Sequence, residues 1–185
     1  MITGKKVLLV RFTKKHLDNP SYFHWLKDDT VTKYIGRPEL NKNLTTKMLR
    51  RYFSEISKSK NCKFYAIYEK KTKIFIGTAK IKFLRIAERN DKVADVGLMI
   101  GEKMYWGKGF GADTLQTLSQ FAFKSLNARK LTGGVMAPNI GMVKAFQKVG
   151  FKIEGRLNKQ IQFNKSYVDH ILFGLMKKNN RNKLK

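Results

Sequence analysis

The stretch Trp106-Gly-Lys-Gly-Phe-Gly-Ala-Asp113 sets three glycines among a lysine and a phenylalanine, and a helical pattern of apolar residues follows it directly. Glycines this close together let backbone N–H groups approach a ligand with no Cβ in the way. A helix that starts at such a loop adds orphan N–H groups and the positive end of its dipole. The stretch is therefore a candidate anion cradle. Two familiar phosphate loops do not fit it. The Walker pattern needs Gly-Lys followed by Ser or Thr, and Lys108 is followed by Gly109. The dinucleotide fingerprint needs a βαβ unit with an acidic residue about 20 positions later. Here the loop falls mid-chain, behind three strands that look antiparallel. Taken alone, it also reads as a structural turn feeding a helix.

Upstream of the loop, Val93 to Ile100 alternates as a strand does, with Val96, Leu98 and Ile100 on one face and Asp95, Gly97 and Met99 on the other. Downstream, Ala112 to Leu126 is a helix whose stripe is Leu115, Leu118, Phe121, Ala122 and Leu126. Lys130 to Met136 reads as a strand. Asn139 to Val149 reads as a short helix with Met142, Ala145, Phe146 and Val149 on one side, ended by Gly150. Ile153 to Phe163 and Tyr167 to Leu175 form a final antiparallel pair turning at Asn164-Lys165. Towards the N-terminus, Ile74 to Phe83 and Phe64 to Tyr68 are strands joined by a turn over Glu69 to Lys73. A helix begins after the N-cap Thr45 and carries Met48, Leu49, Tyr52, Phe53 and Ile56. Lys14 to Lys27 gives two short helices interrupted at Asn19-Pro20, and Val7 to Phe12 is the first strand. The order β-α-α-β-β-β-α-β-α-β-β predicts an α/β sandwich with a mixed sheet. One domain over residues 1–176 and a basic polar tail over 177–185 are expected.

The chain has 185 residues, 42% of them hydrophobic, which excludes a disordered polypeptide and allows a full core. No run reaches the roughly 18–20 apolar residues of a membrane span. The N-terminal Val7-Leu-Leu-Val10 is too short for a signal-peptide core, so a cytoplasmic protein with no membrane partner is expected. The single cysteine, Cys62, excludes an internal disulfide and reads as a structural thiol. His16 and His24 lack metal-ligand spacing, and no metal is expected. The formal charge of +26 admits two readings. One is a lysine-rich solvated surface. The other is a polyanionic partner: cofactor phosphates, a nucleotide-linked substrate, the ribosome or nucleic acid. No arginine-rich tract or basic–aromatic repeat concentrates the charge.

Three stretches in order carry a resemblance: Asp95-Val-Gly-Leu-Met-Ile-Gly-Glu102, the glycine loop, and Asn139-Ile-Gly-Met-Val-Lys-Ala-Phe-Gln-Lys-Val-Gly-Phe151 with Glu154-Gly-Arg156. In this order and spacing the chain resembles the GNAT superfamily of acetyl-CoA-dependent N-acetyltransferases. It looks closest to the branch that includes the ribosomal-protein acetyltransferases RimJ and RimL. Tyr22-Phe-His-Trp-Leu-Lys-Asp28, Val31-Thr-Lys-Tyr34 and Tyr167-Val-Asp169 look like members associated with bacterial surface-polysaccharide synthesis. The resemblance implies a GNAT acyl-CoA N-acyltransferase fold: a mixed, mostly antiparallel seven-stranded sheet with helices on both faces. It implies that the strands 93–100 and 130–136 splay and hold acetyl-CoA between them. Backbone groups of Leu98, Met99 and Ile100 would pair with the pantetheine arm. Trp106, Gly107, Lys108, Gly109, Phe110, Gly111 and Ala112 would cradle the pyrophosphate. Asn139 would bond the cofactor arm or simply cap its helix. Phe146 would lie by the cofactor. A homodimer is frequent in such families, and no interface is legible here.

Acetyl transfer to an alkyl amine needs removal of a proton from an ammonium of pKa near 10, and donors for the tetrahedral oxyanion. Asp95 lies 14 positions before Gly109, where histone-acetylating relatives carry their catalytic glutamate, and is the candidate general base. Glu102 and Glu154 are fallbacks. The positions where relatives often place a proton donor for the departing thiolate hold Phe146 and Met142, which cannot donate. Tyr167 and His170 are unplaced substitutes, and His170 also reads as a structural histidine. The resemblance places the acceptor pocket among the first helices and the last hairpin, so Tyr22, His24, Trp25, Tyr34, Arg37 and Tyr167 are candidate walls. Trp25 and Tyr34 also read as core. Three functions compete: an N-acetyltransferase for a small amine or nucleotide-linked amino sugar, in which case the acceptor could be anionic; a protein N-acetyltransferase; and a non-catalytic acyl-CoA or nucleic-acid binding module on the same scaffold.

Overall fold

The computed structural model describes residues 1–35, 43–85 and 91–178. These form one mixed sheet of eight strands with helices on both faces. The strands are β1 (Ile2–Thr3), β2 (Val7–Arg11), β3 (Cys62–Glu69), β4 (Phe75–Phe83), β5 (Val93–Ile100), β6 (Lys130–Met136), β7 (Lys152–Phe163) and β8 (Ser166–Met176). Their spatial order is β1-β2-β3-β4-β5-β6-β8-β7. Every neighbouring pair is antiparallel except β5 and β6. The expected seven strands become eight because Ile2–Thr3 folds back on Leu8 and Leu9 as a two-residue edge, too short to show a period.

The helices are α1 (Lys14–Leu17), α2 (Pro20–Lys27), α3 (Asp29–Thr32), α4 (Thr46–Lys58), α5 (Phe110–Ser125) and α6 (Ile140–Val149). Pro20 opens α2, where its missing N–H costs nothing, and the Asn19 side chain accepts from Ser21 N–H at 2.9 Å. A third short helix, α3, was not foreseen. Asp28 starts it by accepting from Thr30 N–H at 2.8 Å, a one-turn signal with no periodic stripe behind it. Thr45 caps α4 as expected, accepting from Met48 N–H at 3.2 Å.

Alternation divides the core in two. Val7, Leu9, Ile67, Ile76, Val96 and Leu131 face α5 and α6, where Leu115, Leu118, Ala122 and Phe146 cover them. On the opposite face Phe12, Tyr22, Trp25, Leu49, Phe75 and Met99 pack together under α1 to α4. No described helix is long and apolar enough to cross a membrane.

Candidate functional site

β5 and β6 pair only where Val93, Ala94 and Asp95 meet Lys130, Leu131 and Thr132. Beyond that point β5 bonds only β4 and β6 bonds only β8, so a gap opens between parallel strands. Two bonds fix which backbone groups face it. Leu84 N–H donates to the Val93 carbonyl at 2.9 Å, and Gly101 N–H donates to the Ile76 carbonyl at 2.8 Å. Odd residues of β5 therefore turn towards β4, and Val96 and Leu98 present N–H and C=O groups to the gap, while Ile100 presents its N–H and gives its carbonyl to Trp106. This corrects the expectation for Met99: its carbonyl lies against Gly77 of β4, and its side chain is buried beside the first helices.

At the open end of β5 lies the glycine loop. Gly107 and Gly109 have φ of +70° and +82°, a region that favours glycine. Gly109 is the N-cap of α5, and the N–H groups of Phe110, Gly111 and Ala112 have no intrahelical acceptor. The Trp106 indole N–H donates to the Ile100 carbonyl at 2.7 Å, which ties the loop to the end of β5. Phe110 is buried and meets Tyr105 edge-on at 5.0 Å, anchoring the first turn. Lys108 is exposed.

The structure adds a residue that the sequence concealed. Lys6 stands more than 100 positions before the loop, yet its Nζ donates to the Lys108 carbonyl at 2.9 Å. Asp113, in the first turn of α5, brings it there. That carboxylate accepts from Lys5, Lys6 and Val7 N–H at 3.2, 2.7 and 3.0 Å, docking the β1–β2 turn on the helix N-terminus. An acidic residue in a first helical turn was the only local signal, and it named no partner.

On the face of the sheet away from α5, a strip of polar residues lies beside the closed end of the gap. Asp95 pairs with Lys82 on β4 and with Thr132 on β6, and Lys80 stands opposite Gly97. Nothing lies within 4 Å of where a Cβ on Gly97 would be, so the floor there is bare. The His170 ring lies over Gly134, where a Cβ would come within 2.1 Å of Nε2. His170 thus reaches the same face as Asp95, and Gly134 leaves room for it. Burial pushes the Asp95 carboxyl above its ordinary pKa, against the opposing pull of Lys80, Lys82, the Thr132 hydroxyl and His170.

The fallback bases have other partners. Glu154 pairs with Lys130 at 2.6 Å above Gly174, and Glu102 accepts from the Trp25 indole N–H at 3.0 Å. Glu102 belongs to an open cleft of about 510 Å³ at the end of β5, lined by His24, Trp25, Asp28, Gly101, Lys103 and Met104 among others. His24 is exposed on its rim, and Lys103 pairs with Asp28 at 2.7 Å.

Several expected site residues are core. Tyr22 and Trp25 are 3% and 5% exposed. Burial raises the Tyr22 hydroxyl pKa far above its ordinary value, and the Trp25 ring rests on Gly101 with no room for a Cβ. Phe146 is 1% exposed, stacked on Phe173 at 5.0 Å with its tip against Gly133, so it offers no surface to a cofactor. Asn139 Oδ1 accepts from Met142 N–H at 3.2 Å, the capping geometry. Tyr34 is half-buried, stacks on Phe163 at 5.4 Å and donates to the Pro138 carbonyl at 3.0 Å, joining the first helices to the last hairpin. Tyr167 is exposed at the hairpin tip, seven residues along β8 from the level of Thr132, about 20 Å away. Arg37 lies outside the described residues.

A strand edge with free backbone groups beside a glycine-capped helix N-terminus fits a long ligand with an amide-bearing arm and a diphosphate. Coenzyme A is such a ligand. The acetyltransferase (GNAT) domain family matches residues 6–152. The chain is 26% identical over 155 residues to an uncharacterised N-acetyltransferase p20 of Bacillus licheniformis, covering 84% of each protein. Among solved structures, it matches spermidine N-acetyltransferase from Vibrio cholerae in complex with CoA and spermine. The TM-score is 0.79 at 17% identity, over 92% of this chain and 95% of that one. It also matches RimL, a ribosomal L7/L12 alpha-N-protein acetyltransferase in complex with CoA, with a TM-score of 0.78 at 15% identity, over 93% and 94%. With its splayed parallel strands and glycine-capped helix, the chain belongs to the GNAT acetyltransferase family and is an acyltransferase that takes its acetyl group from acetyl-CoA.

Proposed function

We propose that the acceptor is a primary amine on a small anionic molecule, of the kind a nucleotide-linked amino sugar represents. The observation that carries this reading is a juxtaposition of charges: Lys80 and Lys82 stand beside Asp95 on one face of the sheet at the closed end of the gap. An ammonium approaching Asp95 is attracted by one carboxylate, and a phosphate on the same molecule is attracted by two lysines. A polycationic acceptor would be repelled by those lysines and by the overall charge of +26. The amino-sugar reading also agrees with the sequence likeness to acetyltransferases of surface-polysaccharide synthesis within the RimJ/RimL-like branch.

Acetyl-CoA supplies an activated acyl group as a thioester. The chain's own part has three elements. Gly107 to Ala112, with Trp106 before them, receive the diphosphate. The Leu98 N–H and C=O and the Ile100 N–H receive the amide-bearing arm, and N–H groups along this edge stabilise the oxyanion. Asp95 takes the proton from the acceptor ammonium, directly or through one water, with Thr132 and His170 around it. Its raised pKa makes the carboxylate a stronger base than an exposed aspartate.

A panel of three probes tests the acceptor class: a nucleoside-diphosphate amino sugar, spermidine, and a peptide with a free N-terminus. Coenzyme A release is followed with each. Release with the amino sugar above the other two supports the reading. Preference for spermidine overturns it, and preference for the peptide moves the protein to the N-terminal acetyltransferases.

A further inference from the structure

Within a planar trans peptide unit the carbonyl and the N–H point in opposite directions. The Lys108 carbonyl and the Gly109 N–H belong to one such unit. Glycine accepts either sign of φ, so the sequence Lys108-Gly109 does not by itself fix which way this unit faces. A flip would turn a carbonyl dipole where a phosphate needs a donor.

Lys6 bonds to this unit. Its Nζ donates to the Lys108 carbonyl at 2.9 Å and lies 4.0 Å from where a Cβ on Gly109 would be. It also stands 5.5 Å from the centroid of the Phe110 ring. The carbonyl therefore faces the β1–β2 turn, and the Gly109 N–H points away from it. The turn is held rigidly. Three successive N–H groups grip the Asp113 carboxylate. A Cβ on Gly4 would come within 2.4 Å of Thr117 Oγ1 and 2.7 Å of Asp113 Oδ2, so only glycine lets the turn sit this close to α5.

We infer that Lys6 is a positioning residue for the donor substrate: it locks the Lys108–Gly109 peptide so that the Gly109 N–H serves the diphosphate of coenzyme A. The inference rests on the glycine loop being the diphosphate cradle. It assigns Lys6 a role distinct from general attraction of phosphate, because its partner is the loop's own carbonyl.

Calorimetry with coenzyme A on the full chain tests it, with Lys6→Met, Lys6→Arg, Lys5→Met and Gly109→Asp compared with the parent. Lys6→Met removes the ammonium and keeps the stem, and a roughly tenfold loss of affinity is expected, the scale of one hydrogen bond to a charged group. Lys5→Met removes the same charge one residue away from an exposed side chain and should cost less than about twofold. Lys6→Arg should retain most of the affinity. Amide NMR gives a readout that loss of charge does not move: the Gly109 N–H resonance should shift downfield on adding coenzyme A in the parent and in Lys5→Met, but not in Lys6→Met. Equal affinities for Lys6→Met and Lys5→Met, with the same Gly109 shift in both, overturn the lock. Gly109→Asp should abolish binding. If it binds like the parent, the cradle itself is wrong and the lock falls with it. If it abolishes binding while Lys6→Met has no effect, only the lock is wrong.

Discussion

Asp95 is kept in a costly state. Burial disfavours its charge, and Lys80, Lys82, Thr132 and His170 only partly offset that. Replacing it with asparagine removes the penalty. Asp95→Asn should lower turnover on the order of a hundredfold while leaving coenzyme A affinity unchanged. It should also raise the melting temperature at neutral pH, because a carboxyl with a raised folded pKa destabilises the fold once pH rises above its ordinary value. The parent's rate should climb with pH through a carboxyl titration above the usual aspartate range, and the variant should lack that limb. Parent-like rates and pH profile would remove Asp95 from the chemistry. Phe146 tests the missing acid in the same way. Its ring tip already presses Gly133, so Phe146→Tyr forces a hydroxyl into a filled core and should cost about 1–3 kcal/mol in denaturant unfolding. Turnover should not rise. A faster variant would mean that thiolate protonation limits the rate.

Between elements, the most consequential joint is β1–β2 with α5. It rests on one carboxylate, Asp113, shared by three backbone donors. Asp113→Ala leaves all three without their acceptor and should destabilise the protein by about 1–3 kcal/mol. Hydrogen exchange should quicken at Lys5, Lys6 and Val7, and coenzyme A affinity should fall with it, because the turn carries Lys6 to the loop. Quickened exchange with unchanged affinity would separate the turn from the cradle. The β5–β6 joint obeys a different constraint. Parallel strands joined through a loop and α5 need not stay paired, and here pairing ends after three residues. The open edge is the part of β5 that the sheet does not use.

Over the whole molecule, the sign of the charge sets the response to acid. Glu69 is held to about 2, first by hydrogen bonds from Thr72 and Lys71. Asp28 is held low chiefly by the Lys103 ammonium, and Asp169 by Lys159 N–H and Arg156. Each contributes stability that is full above its ordinary pKa and fades as pH falls through the lowered one. Protonation also drives the charge above +26, which adds self-repulsion. The melting temperature should therefore drop steeply below about pH 4, and added salt should recover part of the loss. A flat profile between pH 6 and 3 would contradict this.

Much of the fold was legible because it depends on local period and punctuation. The alternation of 93–100, the stripe of 112–126, the Thr45 cap and the Gly150 stop each follow from neighbours in sequence, and each element formed where expected. The glycine loop was legible for the same reason: its backbone freedom is written in its residue types. The two-residue β1 and the one-turn α3 were not, since neither is long enough to show a period. The site divided along a similar line. Asp95, Leu98, Ile100 and the loop could be put forward from sequence as candidates because they lie on one continuous run of chain. Only the tertiary structure decided that Met99 faces β4, that Tyr22 and Phe146 are core, that Trp25 packs in the core while lining the cleft beside Glu102, and that Lys6 and His170 reach the two ends of the candidate site. Those outcomes depend on which strand lies beside which, and on a carboxylate meeting backbone donors more than 100 residues away. Local pattern carries no information about such contacts.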